Sequence, residues 1–405
     1  MAHQASSERD DGTESRKVSK EEAAFILGQG GKTKAKLCYV SGAQIELTEG
    51  KDGRGGPSQL QVRGTAKQRQ NAMKYINFVI AQRLGPVTID DPSAHDDLTI
   101  LVVPAETVSF ITGKQGSFLR LVEEEWRTLL FFLQVNPKNP PVYVDPNHTE
   151  RLAIFGPERR RRGAELKVMA AIEMKMPGYF TKSVKDFESA EEGLATDTMS
   201  LKDEDYSYAL GRSGSTRRKL ARASSCIVEY VGRMAYLCGT KKERSAAREY
   251  LRWLLQQRVG EHVHVDHRGR TDVTVIMVPS SCIGYVTGHK GSSLRGIEEE
   301  TSTFCFIEGM ADDGEDQKPL LVFGFAEDRR MAETLVWEKI SQKIDDTVND
   351  TYTPYPSGKR GKGKGKDRDW GKDRDWGKGK DHWGGKGGKG KGKGKGDSDD
   401  DDSDD

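Results

Sequence analysis

Four Gly-x-x-Gly turns, each running straight into an apolar-periodic stretch, restrict this chain more than any other feature. They are Gly28-Gln29-Gly30-Gly31, Gly113-Lys114-Gln115-Gly116, Gly211-Arg212-Ser213-Gly214 and Gly288-His289-Lys290-Gly291. The second and fourth share their surroundings: Phe110-Ile111-Thr112 and Ser117-Phe118-Leu119-Arg120 in one, Tyr285-Val286-Thr287 and Ser292-Ser293-Leu294-Arg295 in the other. That register holds without a gap from Tyr75/Tyr250 through Pro104/Pro279 to the acidic triplets ending at Glu125 and Glu300. The first and third turns are also in one register, with Thr33, Lys36, Leu37 and Ser41 facing Thr216, Lys219, Leu220 and Ser224. The order is A-B-A-B. A pair of units has been duplicated.

Such turns suit a phosphate. Glycine has no Cβ to keep an anion away from the backbone. The helix that follows offers free N–H groups and a positive dipole end. Cations in or just after the turns add charge-assisted contacts: Lys32 and Lys34 in the first, Lys114 and Arg120 in the second, Arg212 and Arg217 in the third, His289, Lys290 and Arg295 in the fourth. The uncharged interior residues Gln29, Gln115 and Ser213 belong to the same candidate binding set.

Periodicity places each turn between helices. Glu21–Leu27 reads as a short helix stopped by Gly28, and a second helix opens near Lys32. Gln44-Ile45-Glu46-Leu47 alternates as a strand, Gly50–Ser58 is a long turn, and Leu60-Gln61-Val62 returns. Ala66–Arg83 is a long amphipathic helix with Ala72, Tyr75, Ile76, Val79 and Ile80 on its apolar face. The second unit adds a leading strand, Leu98–Val103, ended by Pro104; it ends in a helix from Pro157 to Lys175, after a Pro/Asn-rich loop over 135–147. In the third unit Val231-Gly232-Arg233 replaces the long loop, and the fourth has its loop at Gly309–Lys318.

This frame, with Ile26-Leu27-Gly28, Ser41-Gly42-Ala43-Gln44-Ile45, and Leu119/Val122 and Leu294/Ile297 after their turns, resembles the type I KH domain. The resemblance covers about residues 17–345 and implies an α+β fold: four tandem β-α-α-β-β-α units, each an antiparallel three-stranded sheet packed on three helices, arranged as two pairs. The expected units are 17–84, 97–176, 196–259 and 270–345, with a disordered lead-in at 1–16 and a linker at 177–195 that gives freedom between pairs. It also implies that each turn clamps the backbone of about four nucleotides while an apolar groove takes the bases. The groove floor would include Ile45, Leu119, Leu129, Val228, Leu294 and Phe304. Lys34 and Arg217 stand where the family usually carries isoleucine.

The net charge of +1 conceals a cancellation. Residues 354–396 form a Gly/Lys tract with Trp370, Trp376 and Trp383, and 397–405 are only Asp and Ser. The tract cannot build a core. Its lysines attract phosphate and its tryptophans offer stacking faces. If the acidic end folds back and competes with RNA, deleting 397–405 tightens RNA binding, as titration at low salt would show; unchanged affinity there would refute the idea.

Five scattered cysteines without a Cys-x-x-Cys spacing suit reduced thiols in an intracellular protein, nuclear, cytoplasmic or both. No apolar run is long enough to span a membrane. The expected partner is single-stranded RNA, with single-stranded DNA as an alternative and proteins of ribonucleoprotein complexes beside it. No cofactor, metal or catalysis is implied. His262, His264, His267 and Asp266 lie in a connector whose repeat copy has no histidine, and Arg159–Arg162 is either a phosphate contact or a solvated face. Two rivals stand: a KH scaffold for protein contacts, and a P-loop-like NTPase suggested by Gly31-Lys32-Thr33, although Ile26 sits where that motif needs glycine.

Overall fold

One run of elements recurs four times in the computed structural model, which describes residues 12–48, 57–134, 148–309 and 316–351. The first unit is β1 (Gly12–Val18), α1 (Lys20–Leu27), α2 (Lys32–Ser41), β2 (Gln44–Thr48), β3 (Ser58–Gly64) and α3 (Ala66–Leu84). The second is β4 (Leu98–Pro104), α4 (Ala105–Thr112), α5 (Ser117–Trp126), β5 (Leu129–Leu133), β6 (Thr149–Phe155) and α6 (Glu158–Lys175). The third is β7 (Ala195–Ser200), α7 (Asp203–Leu210), α8 (Ser215–Ser224), β8 (Ile227–Val231), β9 (Met234–Gly239) and α9 (Lys241–Arg258). The fourth is β10 (Val273–Pro279), α10 (Ile283–Thr287), α11 (Ser292–Thr301), β11 (Phe304–Ile307), β12 (Gln317–Phe323) and α12 (Ala326–Thr351).

Each sheet is antiparallel, with the third strand of its unit in the middle: β1-β3-β2, β4-β6-β5, β7-β9-β8 and β10-β12-β11. Local chemistry sets the helix starts. Ser19 with Glu22, Thr65 with Gln68 and Thr240 with Glu243 form reciprocal capping boxes on α1, α3 and α9. Pro157 stands at the N-cap of α6, where its missing N–H costs no ladder bond.

The expected lead-in is corrected in part: Gly12–Arg16 belong to β1, paired along β3 from Gly12↔Gly64 to Val18↔Ser58. This edge strand is almost wholly polar, so it carries no apolar signal; of its residues only Val18 is buried. The expected turn over 50–56, the loops at 135–147 and 310–315, residues 1–11 and the tail from 352 lie outside the described residues.

One face of each sheet packs on its own helices; the other face of three sheets is taken by the unit before. Tyr75 and Phe78 of α3 meet Phe131 and Phe155 of the second sheet, with ring centroids 5.1–5.7 Å apart. Leu166, Met169 and Ile172 of α6 share a core with Ile227, Val231, Met234 and Tyr236 of the third sheet. Tyr250 and Trp253 of α9 lie against Phe304, Phe306 and Phe323 of the fourth. The first sheet has a different second face, polar and largely exposed: Gln44, Glu46, Gln59 and Arg63. The four units are therefore stacked head to tail, as in a short repeat protein whose terminal face is polar.

The expected freedom between pairs is also overturned. Residues 177–194 are pinned to both neighbours. Glu173 accepts the N–H groups of Gly178 (2.6 Å) and Phe180 (2.8 Å), Phe187 exchanges two backbone bonds with Thr198, and Arg244 gathers the carbonyls of Ser189, Glu191 and Gly193. The Ser/Glu/Ala-rich run reads as a linker in the sequence, but here the backbone carbonyls of Ser189, Glu191 and Gly193 make the contacts. No helix among the described residues is long and apolar enough to cross a membrane.

Candidate nucleic-acid interface

All four Gly-x-x-Gly turns adopt one conformation. The first glycine has φ of 66–72° and ψ of 173–177°. The second interior residue (Gly30, Gln115, Ser213, Lys290) has φ of 50–61°, and the last glycine has φ of 76–79°. The first glycine is required by crowding: a Cβ on Gly28 would stand 2.1 Å from Thr33 Oγ1, and one on Gly211 would stand 2.3 Å from Thr216 Oγ1. The last glycine is favoured by its left-handed backbone: nothing lies within 4 Å of a Cβ built on Gly31, and a Cβ on Gly116, Gly214 or Gly291 would come closest to the end of a flexible arginine, at 3.2–3.3 Å. Gln115, Ser213 and Lys290 hold a left-handed conformation that costs an L-residue roughly 1–2 kcal/mol. Three different side chains thus accept the same strain at the same place.

Each turn ends at the N-terminus of α2, α5, α8 or α11, where free N–H groups point outward. Gln29, Lys32, Lys114, Gln115, Arg120, Arg212, Ser213, His289, Lys290 and Arg295 are exposed there, as the sequence predicts. Lys34 is half-buried on α2. Arg217 must be withdrawn from the binding set: its guanidinium is buried, 2.9 Å from the Glu229 carboxylate, and donates to the Val228 carbonyl at 2.6 Å. Burial raises the Glu229 carboxyl above its usual range, and Arg217 and Lys167 draw it part of the way back.

The groove expectation divides in two. Ile45, Val228, Leu119 and Leu294 sit in the cores of their own units, below the turn-bearing helices. Leu129 and Phe304 are instead buried between units, in the cores shared with α3 and α9. The pairings Leu129↔Phe155 and Phe304↔Phe323 put them level with Gln44↔Arg63 of the first sheet, one residue before Ile45. A slip of one residue along a strand moves a side chain to the opposite face. Leu130 and Cys305 are the true counterparts of Ile45.

Three of the four arginines of Arg159–Arg162 are engaged by protein groups. Arg159 pairs with Glu243 at 2.8 Å and also donates to the Ser225 carbonyl, Arg161 donates to the Asp96 carbonyl at 3.0 Å, and Arg162 pairs with Glu165 at 2.7 Å. His264 Nδ1 lies 2.7 Å from Glu308, and no group of residues able to hold a metal occurs among the described residues. Cys226 and Cys238 are buried free thiols, and burial pushes both upward in pKa. A P-loop needs a strand ahead of its turn; here α1 runs to Leu27.

Sequence reasoning passed over the ion pairs joining the units of each pair. Lys36 on α2 reaches Glu123 on α5 at 2.9 Å, and Lys219 on α8 reaches Glu298 on α11 at 2.8 Å. Glu123 also accepts the Leu130 N–H and Glu298 the Cys305 N–H. Burial raises the Glu298 carboxyl, and Lys219 opposes that shift. The signal was present: Lys36/Lys219 and the acidic triplets recur in register.

Residues 13–78 and 273–338 match the KH domain. Those two stretches are what the chain shares with that family. They contain the first and fourth Gly-x-x-Gly turns. Among solved structures, Dim2p from Pyrococcus horikoshii OT3 is 16% identical, covering 40% of this chain and 91% of that one, with a TM-score of 0.22. The a/eIF2alpha-aDim2p-rRNA complex from the same organism is 14% identical, covering 41% and 90%, also with a TM-score of 0.22. A protein of unknown function from Aeropyrum pernix is 12% identical, covering 39% and 94%, with a TM-score of 0.15.

Proposed function

We propose that this chain binds single-stranded RNA through the Gly-x-x-Gly turns of four KH units and acts, without catalysis, in the handling of mRNA: its processing, stability or translation. The observation that carries the proposal is the recurrence of one turn conformation, at one place in one topology, in the two matched KH domains and in the two units between them. Backbone identity of that kind supports extending the KH reading to the second and third units. Exposed cations at three of the turns, and Lys32 directly after the first, supply the attraction to phosphate. The step from RNA to mRNA rests on the family resemblance, as does placement inside the cell.

The scaffold reading finds its footing in the third unit alone. Arg217 is committed to Glu229 there, and the short hairpin turn is pressed on the preceding unit, with Gly232 close against Glu173 and Thr181. That unit serves the array as a joint. Single-stranded DNA presents the same phosphates and bases, and the 2′-hydroxyl decides between the two.

Anisotropy of a labelled RNA strand with residues 1–356 tests the proposal. The strand binds, an unlabelled strand displaces it, and duplex RNA does not, because paired bases cannot enter the grooves. Equal displacement by duplex would mean general phosphate attraction and refute base binding.

A further inference from the structure

In each pair, the helices that follow the two Gly-x-x-Gly turns line opposite walls of one cleft. Between α2 and α5 it measures about 680 Å³, and between α8 and α11 about 540 Å³. Both lie within the roughly 300–1,000 Å³ common for ligand sites. The first residues after the turns line these walls: Lys32, Thr33 and Ser117 in one cleft, Ser215, Thr216 and Ser292 in the other. Both turns of a pair therefore open onto a common space.

The charge of that space is one-sided. The Lys36–Glu123 and Lys219–Glu298 pairs neutralise themselves. What remains in the first cleft is Lys32, Arg120 and Arg127 against Glu124. In the second it is Arg212, Arg218, Arg222 and Arg295 against Glu299. None of these cations has a carboxylate within ion-pairing distance among the described residues; Arg218 donates to the Ser213 carbonyl at 2.7 Å, and Arg127 lies over the Tyr39 ring at 5.0 Å. Like charges gathered without counter-charges repel one another and attract a polyanion. Arg120 and Arg295 recur through the duplication. Lys32 and Arg127 in the first cleft, and Arg212, Arg218 and Arg222 in the second, stand at positions that do not correspond, so each cleft carries an excess of positive charge on partly different side chains.

We infer that each pair of units takes one continuous single strand, whose phosphodiester backbone crosses this cleft from one Gly-x-x-Gly turn to the other. The inference rests on the RNA-binding reading above and specifies it: a pair is one composite site. Arg120 and Arg127 hold phosphates in the first crossing, and Arg218, Arg222 and Arg295 in the second. The fixed ion pair at each crossing sets the spacing, so the second turn meets a strand already delivered by the first, at high effective concentration.

The test uses the full-length protein and labelled RNA of about four nucleotides, enough for one turn, and of about twelve nucleotides. Arg127 and Arg222 are exposed and lie outside all four turns, so Arg127→Glu/Arg222→Glu leaves the cores intact; circular dichroism checks this. In the variant, the advantage of the longer strand over the shorter falls at least tenfold, whereas with both arginines in place a photocrosslinker on Leu121→Cys, an exposed residue of the first cleft, captures the longer strand. A length advantage that survives in the folded variant overturns the shared crossing. If substitution of the turns still abolishes binding in that case, the single-turn reading stands alone. If no strand binds the intact protein, both readings fall.

Discussion

Replacing the interior pairs of all four turns by Asp-Asp weakens binding of single-stranded RNA to residues 1–356 by at least about 100-fold, or about 2.7 kcal/mol. The altered pairs are Gln29-Gly30, Lys114-Gln115, Arg212-Ser213 and His289-Lys290. Two effects add. Lys114, Arg212 and Lys290 are lost as partners of phosphate, and two carboxylates per turn now face it. A like-charge contact at about 4 Å costs about 1 kcal/mol even in water, and it is repeated along the strand. The fold tolerates the change. The second interior residue already sits at φ of 50–61°, where aspartate is accepted more readily than most residues, and a Cβ on Gly30 meets nothing within 4 Å. Fluorescence anisotropy reads the affinity, and circular dichroism confirms the fold. Restoring the turns singly ranks them, with the third restoring least because Arg217 is already engaged. Undiminished binding by the folded Asp-Asp form would show that the turns are not the contact.

The elements that could be read from the sequence are those whose signal is local. Gly-x-x-Gly, the prolines at 104, 157 and 279, and the alternation Gln44-Ile45-Glu46-Leu47 place helices and strands within a residue or two of where they stand. The β1 strand escaped because its identity comes from β3, which pairs along its whole length; Thr-Glu-Ser-Arg-Lys has no pattern of its own. The stacking of units was legible in principle. Leu129-Leu130-Phe131-Phe132-Leu133 does not alternate, nor do Ile227–Val231 and Phe304–Ile307, and a strand without alternation has both faces covered. A reader following one unit at a time assigns such residues to that unit's groove, and so Leu129 and Phe304 were placed on the wrong side of the sheet. The acidic residues Glu123 and Glu298 looked out of place for a phosphate site because their lysine partners are 87 and 79 residues away.

Arg244→Met lowers the stability of the array by about 3–5 kcal/mol, the range expected when one partner of a buried charged network is removed. Arg244 is 1% exposed and uses every donor of its guanidinium. Nε reaches Asp197 at 2.8 Å, Nη1 the carbonyls of Gly193 (3.0 Å) and Gly239 (2.6 Å), and Nη2 those of Ser189 (3.0 Å) and Glu191 (2.7 Å). Methionine fills much of the volume but leaves the buried Gly239 carbonyl, and the part-buried carbonyls of Ser189, Glu191 and Gly193, without these donors. Asp197 keeps Arg248 at 3.5 Å and the Ser189 N–H at 2.9 Å, so the loss falls mainly on segment 189–193. Arg244→Lys recovers only part of it, because three donors on a point charge cannot match a planar fork that serves five directions. Urea denaturation measures the stability, and limited proteolysis reads the segment, which is cut at 188–193 in the variant and protected in the parent. Lys241→Ala is the internal comparison: it breaks an exposed pair with Glu192 in the same segment, where both side chains are more than half exposed, and costs under about 1 kcal/mol. If Arg244→Met melted with the parent and the segment stayed protected, the join between the pairs would rest on the α6 contacts with the third sheet, the Arg159–Glu243 pair and the Phe187–Thr198 bonds, and the arginine would be a passenger in it.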